Sequence, residues 1–237
     1  MGEIVARLRQ AQVHGRAGPL DLDLRVGETV ALMGPSGSGK TTVLRMLAGF
    51  DACDAGDVEI EGRLACARGM NLIAPEKRGI SFAFQETALM PHMDAQQNIC
   101  LGLRGSRSEL HGAGKMALAE VGLSGFEKRK PWELSGGEAQ RVQLARVCAA
   151  NSRLMLLDEP FACVDRLSRA DLVERLGQRL RHGGGAGCVL MVTHDPEDAR
   201  ELADVCVVMK GGRIEASGSF EQINGLGGWV ASLLGRG

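Results

Sequence analysis

The sequence predicts an α/β fold with a mostly parallel core sheet. Short apolar runs, typical of buried strands, alternate with segments of helical composition in the first and last parts of the chain. Strands that alternate with helices indicate a parallel sheet with helices on its faces. Between these parts, the segment 86–150 has a helical pattern and is predicted to form an inserted lobe.

Periodicity and composition predict the individual elements. Leucines alternate with charged residues over 20–24, which predicts a half-buried strand. Val142 and Ala145 are three residues apart and share one face of a predicted helix. The glycine run at 183–187 predicts a flexible loop. The predicted strands are 20–24, 29–33, 58–60, 80–84, 154–157, 189–193 and 205–210. The predicted helices are 42–48, 95–103, 110–121, 138–150, 167–180 and 196–202.

Composition is ordinary for a globular protein and argues against several classes. A chain of 237 residues fits one large domain, or one domain with an inserted lobe. The net charge of -1 gives no overall attraction to nucleic acid or acidic lipid. No Tyr, six Phe and two Trp argue against a protein that stacks nucleic-acid bases on aromatic rings. The seven cysteines form no C-x-x-C pair and are expected to be reduced, mostly buried residues.

The glycine-rich segment 34–41 predicts a phosphate-binding loop, or P-loop. It matches the pattern G-x-x-x-x-G-K-[ST] and lies between a predicted strand and a predicted helix. Glycines allow backbone N–H groups and the helix N-terminus to approach phosphate oxygens. Lys40 is expected to reach the β- and γ-phosphates, and the Thr41 hydroxyl to coordinate Mg²⁺. The alternative is a glycine-rich turn with an exposed lysine. The predicted nucleotide-binding residues of this segment are Gly34, Pro35, Ser36, Gly37, Ser38, Gly39, Lys40, Thr41 and Thr42.

Two adjacent carboxylates, Asp158 and Glu159, follow the apolar run at 154–157. A carboxylate at the carboxyl end of a buried parallel strand lies where open α/β sheets bind ligands. Asp158 is the natural partner of Mg²⁺, usually through water. Glu159 is positioned to orient or deprotonate an attacking water as a general base. Taken alone, such carboxylates more often belong to a helix N-cap or a loop.

The segment 134–138 reads Leu-Ser-Gly-Gly-Glu and adds a more specific motif. Together with the loop at 34–41 and the Asp158-Glu159 pair, it resembles the nucleotide-binding subunits of ABC transporters, of the importer type. The resemblance extends over about 4–218 and includes the order and spacing of every motif.

The resemblance implies the fold of an ABC ATPase, which is a P-loop NTPase. Such a fold has a mostly parallel core sheet, N-terminal antiparallel strands and an inserted helical lobe that carries the signature motif. Here the lobe is expected at 86–150, within a single ABC ATPase domain of residues 1–237.

The signature residues Ser135, Gly136 and Gly137 open a predicted helix, so they offer free backbone N–H groups and a positive dipole end. Read alone, this pattern is more often a simple helix cap. In the family, this terminus closes on the γ-phosphate held by the opposite subunit of a head-to-tail dimer. The resemblance therefore implies that these residues act on the partner's nucleotide, and that Asp165 works across the dimer interface.

Three further residues match family positions. Gln85 matches the glutamine that touches Mg²⁺ and water and connects the lobes, and His194 matches the histidine that hydrogen-bonds the γ-phosphate. His14 is the best-placed residue for stacking on adenine, where the family often has Tyr. The alternatives are an ordinary exposed glutamine, a structural histidine at a strand end and a plain loop histidine.

The resemblance implies an ATPase that uses ATP and Mg²⁺ to drive import of a small solute. Its expected partners are a second copy of the chain, membrane permease subunits and a periplasmic solute-binding protein, but not nucleic acid. The segment 88–99 is similar to the region that receives a helix of the membrane partner, and the expected location is the cytoplasmic face of the inner membrane. The segment 80–103 is similar to thiamine-type subunits. The alternatives are a soluble ABC ATPase of DNA repair or translation, and a small kinase or GTPase that shares the P-loop.

Overall fold

The computed structural model describes residues 2–181 and 187–227. The predicted glycine loop at 183–187 lies almost wholly outside the described residues. The strands are β1 (Ile4–Val13), β2 (Ala17–Arg25), β3 (Thr29–Met33), β4 (Ala55–Ile60), β5 (Arg63–Ala67), β6 (Met70–Asn71), β7 (Ile80–Ala83), β8 (Leu154–Asp158), β9 (Cys188–Val192), β10 (Val205–Lys210) and β11 (Arg213–Gly218). The helices are α1 (Lys40–Ala48), α2 (Ala95–Ile99), α3 (Arg107–Glu120), α4 (Gly136–Ala149), α5 (Arg166–Arg181), α6 (Pro196–Leu202) and α7 (Phe220–Asn224).

The strands form two sheets. The core sheet has the strand order β11-β10-β3-β9-β8-β7, and every neighbouring pair is parallel except β10 with β11. The second sheet has the order β2-β1-β4-β5-β6 and is antiparallel throughout. The predicted parallel core and the predicted N-terminal antiparallel strands are both present. All three helices α2, α3 and α4 lie in the chain between β7 and β8.

The core sheet is covered on both faces, because its central strands are buried along their whole length. Alternate residues of β3 enter different cores. Ala31 and Met33 pack in the core that includes the side chains of α4, whereas Val30 and Leu32 pack with α1 and the antiparallel sheet. The sheet is therefore the middle layer of the molecule, and its strand ends at one edge are left to form a site.

Several predicted boundaries differ from the structure. Helix α2 ends at Ile99 rather than 103, and Gly102 just beyond it has a left-handed φ of 87° that a helix cannot contain. Helix α3 begins at Arg107, earlier than predicted, because Ser106 and Glu109 form a capping box. The strand β1 was not predicted, since register shifts along its pairing with β2 interrupt the alternation of apolar and polar residues.

Arg78 fastens the C-terminal end of α1 to the antiparallel sheet. The residue is buried, and its guanidinium donates to the carbonyls of Met46 and Leu47 at 2.8 and 2.7 Å and to the Ala65 carbonyl at 3.1 Å. Burial lowers the pKa of Arg78. A cation is nevertheless favoured at this end of a helix, where the last carbonyls lack partners within the helix. Helix α1 is thus held at one end while its other end faces the glycine-rich loop.

Among the described residues, every helix is too short or too polar to cross a membrane.

We expect Arg78→Met to lower the free energy of unfolding by about 3 kcal/mol, because it leaves several buried carbonyls without donors. Urea denaturation followed by circular dichroism measures the change. The matched control is Arg63→Met at the exposed first residue of β5, which should change stability by less than about 0.5 kcal/mol. Equal losses in the two variants would show that the guanidinium bonds do not stabilise α1.

Candidate active site

The loop 34–39 connects β3 to α1 and has a backbone shape that glycine permits. Gly34 has a φ of 152°, and a Cβ atom there would collide with the Met209 carbonyl oxygen. Gly39 has a φ of 96°, and its Cβ would lie 2.7 Å from the Arg16 carbonyl oxygen. Gly39 is the N-cap of α1 and provides no side-chain acceptor. The first N–H groups of the helix are therefore not capped by this residue, and the positive end of the helix dipole is not screened by it. This is the local structure that binds phosphate in other proteins.

Lys40 is buried beneath this loop. Its Nζ donates to the carbonyl oxygens of Gly34 and Pro35, each at 2.9 Å, and lies 3.4 Å from Ser38 Oγ. Burial lowers the pKa of Lys40, and the nearby carboxylates of Glu159 and Asp158 act in the opposite direction. The ammonium group therefore lies in a partly desolvated place, where its attraction to an anion is strong.

Thr41 and Asp158 join the start of α1 to the end of β8. The Thr41 hydroxyl donates to Asp158 Oδ1 at 3.3 Å, and Asp158 is buried. Burial raises the pKa of this carboxyl, while the hydrogen bond from Thr41 lowers it. A hydroxyl beside a carboxylate supplies the oxygen ligands that Mg²⁺ prefers, and Mg²⁺ is usually held by one or two carboxylates together with substrate phosphates. The residues present therefore fit the ion that the sequence predicts.

Three polar side chains meet where neighbouring parallel strands end. Gln85 follows β7, Glu159 follows β8 and His194 follows β9. Gln85 Nε2 donates to Glu159 Oε2 at 3.2 Å, and His194 Nδ1 lies 3.6 Å from Glu159 Oε1. Glu159 has a φ of 48°, which is uncommon for a residue other than glycine, and its N–H donates to the Val192 carbonyl at 3.1 Å.

The loop and this trio line one cleft of about 480 Å³. The remaining lining residues are Lys40, Thr41 and Thr42 at the start of α1, and Gly15 and Arg16 in the turn between β1 and β2. Arg16 forms an ion pair with Asp51 at 2.9 Å. His14 does not line the cleft: its side chain is 76% exposed, and its Nδ1 lies 3.3 Å from Asp54 Oδ2. The structure thus brings together most of the predicted residues, while His14 lies beside the cleft rather than in its wall.

The signature residues begin α4 and lie outside the walls of the cleft of the same chain. Ser135 is the N-cap: its Oγ accepts from the Glu138 N–H, and the Glu138 carboxylate accepts from the Ser135 N–H at 2.6 Å. These bonds hold the pKa of Glu138 below its usual value. A Cβ atom on Gly137 would lie 2.6 Å from the Cys163 carbonyl oxygen, so this position needs glycine.

Gly136 and Asp165 complete the predicted second group. Gly136 is the first residue of α4, and Asp165 Oδ1 accepts the N–H of Ser168 at 3.0 Å at the start of α5. Neither residue lines the cleft. A site built by one chain therefore contains the P-loop and the trio but not the signature.

One positioning group was missed in the sequence. Arg169 of α5 donates to both oxygens of Asp198 at 3.1 and 2.6 Å, and the Thr193 hydroxyl donates to the same carboxylate at 2.9 Å. Thr193 immediately precedes His194, so this network fixes the chain that carries the histidine. Asp198 is three residues after the N-cap of α6, but its carboxylate bonds to Arg169 and Thr193, and no local spacing in the sequence indicates those contacts.

Comparison with known proteins identifies the family. Residues 17–162 match the family model described as ABC transporter. The chain is 45% identical over 203 residues to the Fe(3+) ions import ATP-binding protein FbpC of Streptomyces avermitilis, with 84% of this chain and 57% of that protein covered. It is 41% identical over 216 residues to the sulfate/thiosulfate import ATP-binding protein CysA of Nocardia farcinica, with 89% and 63% covered. It is 41% identical over 207 residues to the spermidine/putrescine import ATP-binding protein PotA of Oleidesulfovibrio alaskensis, with 86% and 54% covered. The chain thus spans between 54% and 63% of the length of these relatives.

Solved structures agree with the family. A dimeric ATP-binding cassette in a post-hydrolysis state, bound to ADP and Pi, superposes with a TM-score of 0.78 at 27% identity, covering 91% of this chain and 98% of that chain. A dimeric bacterial ABC transporter cassette gives 0.79 at 28% identity with the same coverage. These likenesses confirm the predicted ABC ATPase fold. Because the family model matches more than half of its residues, the chain belongs to the ABC transporter family.

Proposed function

We propose that this protein is the ATP-hydrolysing subunit of an ABC import system. The observation that carries the proposal is the meeting of Gln85, Glu159 and His194 in the wall of the cleft formed by the P-loop. A phosphate-binding loop alone fits many nucleotide-binding proteins, whereas a candidate base and hydrogen-bonding groups beside that loop support hydrolysis of the bound nucleotide. The names of the relatives support the same function.

The chemistry follows from the positions of the side chains. The N-terminus of α1 and Lys40 bind the β- and γ-phosphates, and Glu159 orients or deprotonates the attacking water. His194 hydrogen-bonds the γ-phosphate and stabilises the charge that develops there, while Gln85 helps to hold the water. Thr41, Asp158 and Gln85 would hold Mg²⁺, which would neutralise charge on the phosphates.

Two copies of the chain complete the site in our proposal. Ser135, Gly136 and Gly137 form a helix N-terminus that the cleft of their own chain does not use. In a head-to-tail dimer this terminus reaches the γ-phosphate bound by the partner, and Asp165 lies near the interface. Both solved structures described above are dimeric, which supports this arrangement.

A surface beside the site suits a membrane partner. Phe50, Phe82 and Phe84 form an aromatic cluster with centroid distances of 4.4 to 5.6 Å, and Phe50 is 41% exposed. Phe84 directly precedes Gln85, and the segment 88–99 follows. We propose that this cluster and this segment receive a helix of a permease subunit at the cytoplasmic face of the inner membrane, and that residues 86–150 act as the moving lobe.

The identity of the transported solute depends on the partner subunits rather than on this chain. The relatives described above are named for import of Fe(3+), sulfate or thiosulfate, and spermidine or putrescine, and none of these names supports thiamine. We propose a small ion or nutrient delivered by a periplasmic solute-binding protein. The alternative of a soluble ABC ATPase in DNA repair or translation is less favoured, because the basic run at 128–130 is engaged locally: Lys128 binds Asp94 and Lys130 binds the His92 carbonyl.

Glu159→Gln should lower the kcat of ATP hydrolysis by at least about 100-fold, because an amide keeps the shape but cannot accept the proton of water. Equilibrium dialysis should find ATP binding changed by less than about twofold. The control is Glu76→Gln, an exposed glutamate in the turn Pro75–Lys77, which should turn over normally. Wild-type turnover in Glu159→Gln would exclude the glutamate as the base.

The turn between β1 and β2 should hold the nucleoside end of ATP, and the prediction separates Arg16 from His14. We expect Arg16→Ala to weaken ATP binding by about 3- to 30-fold through loss of guanidinium stacking on adenine. Binding of inorganic tripolyphosphate, which has no base, should be unchanged in this variant. His14→Ala should have the smaller effect, and the reverse order in calorimetric titrations would restore His14 as the stacking residue.

Membrane partnership is tested by tagging the chain in its native host and solubilising the membranes in mild detergent. A multi-span protein should co-purify in stoichiometric amount. Phe50→Ser, on the exposed aromatic cluster, should reduce this recovery, while the exposed control Leu226→Ser should not. Recovery with ribosomes or DNA, and none with membranes, would overturn import.

A further inference from the structure

One face of α4 carries two buried glutamines. Gln140 and Gln143 are three residues apart, so their side chains leave the helix on neighbouring turns of one side. Both side chains are almost completely buried, with 1% of each residue exposed. A buried amide is stable only where its donor and its acceptor both find partners. The partners here lie outside the helix.

Gln140 spans the turn that begins at Glu159. Its Nε2 donates to the carbonyl oxygen of Glu159 at 2.9 Å, and its Oε1 accepts the N–H of Cys163 at 2.8 Å. The amide thus bonds to both ends of the segment 159–163, which immediately follows β8. The same backbone holds Glu159 in its left-handed conformation.

Gln143 spans the turn that contains Gln85 in the same manner. Its Nε2 donates to the Phe84 carbonyl at 2.6 Å, and its Oε1 accepts the N–H of Ala88 at 2.9 Å. Arg146, three residues further along the helix, donates to the Ala88 carbonyl at 2.8 Å. The residues on either side of Gln85 are therefore bonded to α4.

These two contacts connect one rigid element to both members of a catalytic pair. Gln85 and Glu159 contact each other at 3.2 Å through their side chains. Glu159 is bonded to α4 through its own carbonyl, and Gln85 is held between Phe84 and Ala88, which are both bonded to α4. Helix α4 is capped by Ser135 and begins at Gly136, so a displacement of the signature end changes the position of both turns. Neither glutamine lines the cleft, so neither touches the nucleotide site itself.

We propose that Gln140 and Gln143 are positioning residues for ATP hydrolysis, paired amide braces that set Gln85 and Glu159 against each other according to the position of α4. The inference rests on the proposed ATPase function. Through these braces, contact of the signature terminus with a partner's nucleotide aligns the water-orienting groups of its own chain.

The test is a double-mutant cycle in the full chain. Gln143→Met preserves the length of the side chain and removes both hydrogen bonds. We expect it to lower kcat, counted per ATP-binding site, by about tenfold in the otherwise wild-type chain. In a Gln85→Ala chain, where the positioned group is already absent, the same substitution should lower kcat by less than about twofold. Gln140→Met is tested in the same way against Glu159→Gln in single-turnover experiments.

Amide hydrogen exchange supplies a readout that does not depend on turnover. Exchange at Ala88 should accelerate in Gln143→Met and exchange at Cys163 in Gln140→Met, each without acceleration in the other variant. Gln178→Met, on the exposed side of α5, is the matched control and should alter neither kcat nor these amides. If Gln143→Met does not fold, Gln140→Met with exchange at Cys163 keeps the inference falsifiable.

The outcomes separate the two ideas. Equal loss of kcat with and without Gln85 would make Gln143 merely structural and overturn the inference, as would unchanged exchange at Ala88. A wild-type chain that does not hydrolyse ATP would overturn the proposed function alone, and the exchange data would still decide whether the braces exist.

Discussion

Parallel pairing of β3, β9, β8 and β7 is the constraint on which the site depends. Parallel strands end at the same edge, so the loops that follow them must lie side by side. This places the P-loop, His194, Glu159 and Gln85 in one row. In the sequence, Gly34 and His194 are 160 positions apart. Burial of the strands on both faces keeps this edge rigid, and the bonds of Arg78 fix the far end of α1. The precision of the site is therefore a property of the sheet rather than of the loops.

The electrostatics of the site follow from the same burial. Desolvation lowers the pKa of Lys40 and raises that of Asp158, so each charge is held where water stabilises it poorly. The desolvation of Lys40 and Asp158 already occurs on folding, because Lys40 is bonded to the Gly34 carbonyl and Asp158 to the Thr41 hydroxyl. An anionic polyphosphate with its cation presents charges complementary to both groups. Such preorganised charges act strongly in a low dielectric and need no rearrangement during the reaction.

The sequence was informative wherever a local pattern decides the structure. The spacing of the P-loop, the carboxylates after an apolar strand and the position of His194 depend on chain order. The structure places the P-loop, Glu159 and His194 in one cleft, with Asp158 buried beside it against Thr41. Contacts between distant segments left no such pattern. Nothing near Arg78 in the sequence indicates that its acceptors are carbonyls of α1, and nothing near Gln143 indicates its bonds to the turn at 84–88. The ring of His14 predicts stacking on adenine, yet Arg16 rather than the histidine lines the cleft. Side-chain direction in a turn depends on backbone angles that composition does not specify.

The separation between cleft and signature makes the proposed mechanism cooperative between chains. In that mechanism each chain would bind phosphates with one helix terminus, at α1, and offer to its partner a second terminus, at α4, which does not line its own cleft. If α4 were connected to the rest of the chain by flexible contacts, closing on a partner's phosphate would affect only that partner. The amides of Gln140 and Gln143 instead bond α4 to the turns that carry Gln85 and Glu159. When the signature end of α4 contacts the partner's nucleotide, the positions of Gln85 and Glu159 in its own chain would then change as well. On this proposal, hydrolysis at two sites is linked by a helix with a ligand at one end and two buried braces along its side.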